Sequence, residues 1–240
     1  NEIILLAYYI ACINIESAFH DILKPNSYTK FDGAVLTDTF QLYEQERDMI
    51  ANLLPDNSKK RTKQKKRDIR VIIGNPPYSA GQDSAHDDAK NLTYPNLDEK
   101  IKKTYVKNST ATYRSDLYDS YIRSFRWATD RLGDEGVIGF VTNAGWIEGN
   151  ATDGFRKVLG EEFSKIYTFH LKGNARTAGE LRKKEAGNVF AHGSRSPIAI
   201  TFLVKKKDAN QNKKTEIFFY NIEDYLKTEE KLKIIKNLNN

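Results

Sequence analysis

Val71-Ile72-Ile73-Gly74-Asn75-Pro76-Pro77-Tyr78 decides how this 240-residue chain is read. Three β-branched residues closed by a glycine predict a short, buried parallel strand. The two prolines fix the backbone, remove two donors and leave the Pro76 carbonyl outside any ladder. In open α/β sheets the carboxyl end of such a strand is where ligands bind. An amide oxygen (Asn75), an unpaired carbonyl (Pro76), a rigid turn (Pro77) and an aromatic face (Tyr78) suit a planar group bearing an exocyclic amine. The amine donates to Asn75 and Pro76 while Tyr78 stacks on the ring. Those acceptors draw the nitrogen lone pair out of conjugation and aim it at an electrophile.

Outward from this motif, apolar periodicity predicts a buried helix over Ile3 to Phe19 and a short strand over Ala34 to Thr37. Asp38-Thr39-Phe40-Gln41 has the spacing of a helix capping box. A polar, basic loop is expected over 45–68, and 79–115 reads as an insertion with little core of its own. A helix over Leu117 to Leu132 precedes a strand over Gly136 to Val141. Beyond them are expected a helix over Ala151 to Phe163, strands over Lys165 to Leu171, Pro197 to Val204 and Glu216 to Asn221, and a helix over Glu223 to Leu238. Strands alternating with helices define an α/β sheet.

Hydrophobic residues make up 39% of the chain and charged residues 29%, a globular composition rather than a disordered one. No apolar run reaches the ~20 residues of a membrane helix, and a cytoplasmic location fits best. A single cysteine, Cys12, excludes an intramolecular disulfide and any multi-cysteine zinc site. The four histidines show no metal spacing, so no metal is expected. The net charge of +6 is local: seven cations lie between Lys59 and Arg67, and the rest of the chain, 31 cations against 32 anions, is nearly neutral. Such a run is a candidate contact for phosphate, through Lys63, Lys65, Lys66 and Arg67. The chain opens on Asn1 with its only methionine at Met49, so it is expected to be part of a longer polypeptide.

The strand followed by Asn-Pro-Pro-Tyr resembles the catalytic motif of amino-group methyltransferases that use S-adenosylmethionine, above all the adenine-N6 DNA methyltransferases. Tyr118-Asp119-Ser120-Tyr121-Ile122-Arg123, Gly136 to Asn143, Asp153 to Lys157, Gly173 to Thr177 and Gly193 to Pro197 follow in order. Together they resemble the methyltransferase region of single-polypeptide, type ISP-like restriction-modification enzymes. That resemblance covers the whole chain, 1–240, as one methyltransferase domain fragment. It implies a Rossmann-like methyltransferase fold, lacking the family's first strand and glycine-rich loop. By the same resemblance Asn75, Pro76, Pro77 and Tyr78 are the catalytic set. Glu2, with Ile3, would hold the cofactor's ribose, and Asp38, with Thr39, its adenine amine; Asn75 also borders the cofactor. Read alone, Glu2 is a carboxylate at a helix start and Asp38 an N-cap.

The implied reaction is in-line displacement at the sulfonium methyl by adenine N6, with no metal and no covalent intermediate. Its substrate is DNA, and a duplex base must leave its stack to react. Covalently linked nuclease, helicase-like ATPase and target-recognition domains are implied as partners in the parent chain. Arg176 is a further candidate near the target base, whereas Phe40 and Trp146 read better as core than as pocket. Three other readings remain open: methylation of a protein glutamine amide, methylation of an RNA base, and a catalytically silent DNA-binding scaffold.

Overall fold

A computed structural model of the chain describes residues 1–44, 54–77, 94–190, 195–207 and 214–238. The chain divides into two compact units, Asn1–Asp68 with Thr93–Leu97, and Ile69–Leu92 with Asp98–Asn240. Among the described residues no helix is long and apolar enough to cross a membrane.

In the first unit, Glu2 pairs with Leu36 as an isolated parallel bridge. The Glu2 N–H donates to the Val35 carbonyl at 3.1 Å, and the Thr37 N–H to the Glu2 carbonyl at 2.8 Å. The expected strand over Ala34 to Thr37 is thus reduced to one bridge. Helix α1, Leu5–Leu23, forms where the apolar periodicity places it, but none of its residues is buried. Leu6 is 69% and Ile22 78% exposed, which corrects the reading of a buried helix. A helix apolar all round needs partners on several sides. Here Glu16 engages Phe31 and Tyr28, and His20 engages Thr29, along one side only.

The basic stretch is a helix rather than a loop: α2 spans Pro55–Lys66. Proline at the first helical position, Asp56 in the first turn and Lys63, Lys65 and Lys66 in the last suit a helix dipole. Residues 45–53 lie outside the described set. The buried Asn57 fastens this helix: its amide donates to the Leu36 carbonyl at 2.8 Å and accepts from the Leu36 N–H at 2.9 Å. A side-chain amide therefore supplies both bonds that a neighbouring strand would make. Asp38 caps no helix. Its Oδ1 accepts the Phe40 N–H at 2.8 Å, and two further turns follow to Glu44.

The second unit holds a five-stranded sheet in the order β1-β2-β4-β3-β5. The strands are β1 Val71–Gly74, β2 Gly136–Asn143, β3 Lys165–His170, β4 Ile198–Lys205 and β5 Glu216–Asn221. β1 runs parallel to β2 and β3 parallel to β5, while β4 lies antiparallel between β2 and β3. All strands but β4 therefore point their carboxyl ends to one edge. Buried Ile138, Phe140, Ile166, Ala199, Thr201 and Leu203 line one face of the sheet. On that side stand Phe125 of α4, Ser120–Arg131, and Phe155 of α6, Asp153–Glu162; the Phe125 ring meets Phe140 edge-on at 5.1 Å.

The opposite face carries Ile73, Gly139, Phe202, Tyr167 and Phe218 in register across all five strands. Ile73 is 80% exposed there, so β1 is an edge strand and not the buried one its composition predicts. β-branching fixes the strand, whereas burial depends on what covers it.

Part of the stretch read as a coreless insertion is a continuous helical element. Helix α3, Pro95–Ile101, runs on as a π-helical turn, Lys102–Val106, with Ile101 and Tyr105 fully buried. A Cβ built on Gly154 would lie 2.1 Å from the Tyr105 carbonyl oxygen, so only glycine lets α6 approach this turn. Arg126, 1% exposed, stands over the Tyr105 ring and bonds Glu162 at 2.9 Å and Asp130. The remaining residues of the insertion, 79–93, lie outside the described set.

Asp119 caps α4, accepting the Tyr121 N–H at 3.3 Å, and burial pushes its carboxyl up to about 6. The folded chain therefore favours the neutral acid. This contribution is complete below the unfolded value of about 4 and is lost as pH rises through 6. Asp119→Asn keeps the cap and should remove that slope, leaving the variant about 2–3 kcal/mol less penalised at pH 8 than at pH 4 relative to wild type. Urea denaturation at both pH values measures it.

Candidate functional site

The ladder between β1 and β2 ends at the Gly74–Phe140 pair. Asn75, Pro76 and Pro77 continue past it, with Asn75 and Pro77 exposed and Pro76 half-buried. They stand at the carboxyl edge of the sheet, and Tyr78 lies outside the described residues. On the same edge β2 leads into Asn143, whose side chain accepts the Gly145 N–H at 2.8 Å, and then into the short helix α5, Gly145–Glu148. Arg156 closes this segment from α6. Its Nη1 donates to the carbonyls of Trp146 at 2.7 Å and Gly149 at 2.8 Å, and to Thr152 Oγ1 at 2.8 Å. Trp146 is 4% exposed and packs against Phe125 and Phe155, which places it in the core.

β3 delivers the next loop to this edge. Asn174 Oδ1 accepts the Arg176 N–H at 3.0 Å, Thr177 Oγ1 donates to the Asn174 carbonyl at 2.9 Å, and the Ala175 N–H to the Arg195 carbonyl at 2.9 Å. Arg176 is held at its backbone and exposed at its side chain. Gly193 and Ser194 lie outside the described residues.

The first unit brings Glu2 and Asp38 to the same ends of the bridged segments. Glu2 Oε1 accepts the N–H groups of Ile3 at 2.8 Å and Ile4 at 2.9 Å, at the start of α1. The helix-start role read for Glu2 on its own is therefore filled by one oxygen of the carboxylate. Asp38 Oδ2 accepts the Tyr94 hydroxyl at 2.8 Å, and the Tyr94 ring packs edge-on against Phe40 at 5.1 Å. Phe40 is thus a packing residue, half-buried beside Thr39. Glu44, 8% exposed, accepts the Asn96 and Leu97 N–H groups, each at 3.0 Å. The carboxylates of Glu2 and Asp38 are each held by backbone N–H groups, and carboxylates are acceptors suited to hydroxyls and amines. That donor–acceptor match fits the ribose and adenine of the implied cofactor.

Tyr94, Glu44 and Asn57 carry no motif, and sequence reasoning passed over all three; only the fold brings them to Asp38, α3 and Leu36. On α2, Lys59, Lys63 and Lys66 form an exposed row at helical spacing, with Lys65 and Arg67 also exposed. Lys60 instead pairs with Asp32 at 3.6 Å.

The Eco57I restriction-modification methylase family matches residues 7–174, and the chain belongs to that family. Among solved structures it is similar to a nuclease-deletion mutant of the Type ISP restriction-modification enzyme LlaGI in complex with a DNA substrate mimic, at 45% identity and a TM-score of 0.92. It is also similar to the ATP-dependent Type ISP enzyme LlaBIII bound to DNA, at 42% identity and 0.91, and to a DrdV–DNA complex, at 40% and 0.89. Each match covers 99% of this chain, which spans 19%, 16% and 22% of those three chains. None of the curated proteins matches it.

Arg156→Ala removes the shared donor of three acceptors and should lower stability by about 2 kcal/mol. Amide exchange should accelerate across 145–152 while β2 stays protected; unchanged exchange in that segment would show that Arg156 does not hold it.

Proposed function

We propose that this chain is the methyltransferase region of a larger restriction-modification enzyme and transfers a methyl group from S-adenosylmethionine to adenine N6 in DNA. One observation carries the reading: in a chain of this family, Asn75-Pro76-Pro77 leaves β1 where the ladder stops, at the ligand edge of the sheet. The Asn75 amide oxygen and the Pro76 carbonyl accept the two N6 protons and orient the lone pair. Tyr78 stacks on the extruded base and offsets part of the few kcal/mol spent on unstacking. Glu2 accepts the ribose hydroxyls and Asp38 the adenine amine of the cofactor, with Ile3 and Thr39 alongside. S-Adenosylmethionine supplies an electrophilic methyl whose leaving thioether is neutral, so the protein's part is positioning and polarisation.

The remaining domains of the restriction-modification enzyme, a nuclease, a helicase-like ATPase and a target-recognition domain, would be joined in the same polypeptide and act with it on DNA in the cytoplasm. Lys63, Lys65, Lys66 and Arg67 contact phosphate in this reading. Cations at i, i+4 and i+7 on one helix face repel one another, and a polyanion relieves that repulsion.

Labelled methyl transfer from S-adenosylmethionine to DNA by the longer polypeptide, with nucleoside analysis, tests the reading. N6-methyladenine is expected, falling by about 5- to 150-fold in Tyr78→Ala, the equivalent of about 1–3 kcal/mol of stacking. Cofactor binding without label in DNA would overturn it in favour of an RNA base or a protein amide. Independently, Lys63→Ala with Lys66→Ala should weaken DNA binding and lower the slope of log K against log salt by about 1.8. An unchanged slope would remove α2 from the interface.

A further inference from the structure

Lys231 is a charged side chain that the proposed reaction does not use. It lies on α8, Thr228–Lys236, and is 0% exposed. No carboxylate pairs with it among the described residues. Its Nζ instead donates to two backbone carbonyls, Leu171 at 2.9 Å and Glu185 at 2.8 Å. Burying an ammonium is unfavourable, and burial, which the Glu185 carboxylate offsets only in part, holds this one down to about 8.

The two carbonyls are the ends of a single excursion of the chain. Leu171 follows β3, and Glu185 closes α7, Gly179–Glu185. Between them lies the Gly173–Thr177 turn with Arg176. Further bonds tie this excursion down. The Asn174 N–H donates to Glu185 Oε2 at 2.8 Å; Asn188, which also donates to the Ser196 carbonyl at 2.8 Å, donates to the Gly173 carbonyl at 3.1 Å; Tyr225 donates to Glu180 at 2.7 Å. The backbone is strained inside this frame at Lys172, φ 55°, and at its borders at Ala186, φ 48°, and Tyr225, φ 68°, none of them glycine. Such conformations persist only where the surroundings over-determine them.

The sheet places this loop with respect to the motif. β1 and β3 end on the same edge, three strand spacings apart, or about 14 Å. That is the length of about four nucleotides along one strand at 3.4 Å each.

We propose that Lys231 is a positioning residue: by clamping both ends of the Leu171–Glu185 loop from inside, it presets Arg176 to grip a DNA phosphate a few nucleotides from the target adenine. The inference rests on the proposed DNA methylation. Lys231 touches neither DNA nor cofactor and acts through Arg176.

A double-mutant cycle in the longer polypeptide tests it, using Lys231→Met, which keeps the volume and loses the donors, and Arg176→Ala. Each single variant should raise the KM for DNA by about tenfold, with kcat and the KM for S-adenosylmethionine unchanged. Lys231→Met should add nothing in the Arg176→Ala background, and Lys231→Gln, which retains an N–H donor, should recover part of the loss. Arg176→Ala should also lower the salt slope by about one contact. Additive effects, a fall in kcat, or a loss of thermal stability with KM for DNA unchanged would overturn the proposal. Absence of N6-methyladenine from the wild-type protein would instead defeat the functional reading on which it rests.

Discussion

Proline cannot donate to a β-ladder, and the candidate site depends on that constraint. Pairing between β1 and β2 stops at Gly74, because the next two residues but one are Pro76 and Pro77. A carbonyl that the sheet would otherwise consume is left at the edge. The amide of Asn75 precedes it on the same stretch, and in the proposed reaction these two oxygens are the acceptors of the N6 protons.

The antiparallel insertion of β4 between β2 and β3 determines which loops share that edge. It widens the sheet without reversing β3, so the loops after β1, β2 and β3 open on the same side. Each has its own internal fastening. The prolines stiffen the first, Arg156 gathers the carbonyls of the second, and Lys231 and Asn188 hold the third. Long cationic side chains thus serve as internal struts that bridge backbone carbonyls.

Strands and motifs were legible in the sequence because their signals are local. Runs rich in β-branched and aromatic residues mark all five strands, although the strand expected over Ala34 to Thr37 forms only a single bridge. What could not be read was anything that depends on a neighbour. Val71-Ile72-Ile73 reads as a buried strand, yet lies at the sheet edge with Ile73 exposed. α1 reads as buried, yet none of its residues is more than half-buried. The polar, basic run reads as a loop, whereas Pro55, the terminal lysines and the Asn57–Leu36 pairing make it a helix. Tyr94 beside Asp38, and Lys231 beneath the Arg176 loop, are ordinary residues in ordinary-looking segments. Their roles arise from contacts 56 and 60 residues apart in the chain.

The most direct measurement is the structure of the longer polypeptide with DNA and a non-transferable cofactor analogue, read at the target adenine. The predicted result is an extruded base whose N6 lies within hydrogen-bond distance of both Asn75 Oδ1 and the Pro76 carbonyl oxygen. A target base that stays stacked, or an N6 that faces neither oxygen, would contradict the account.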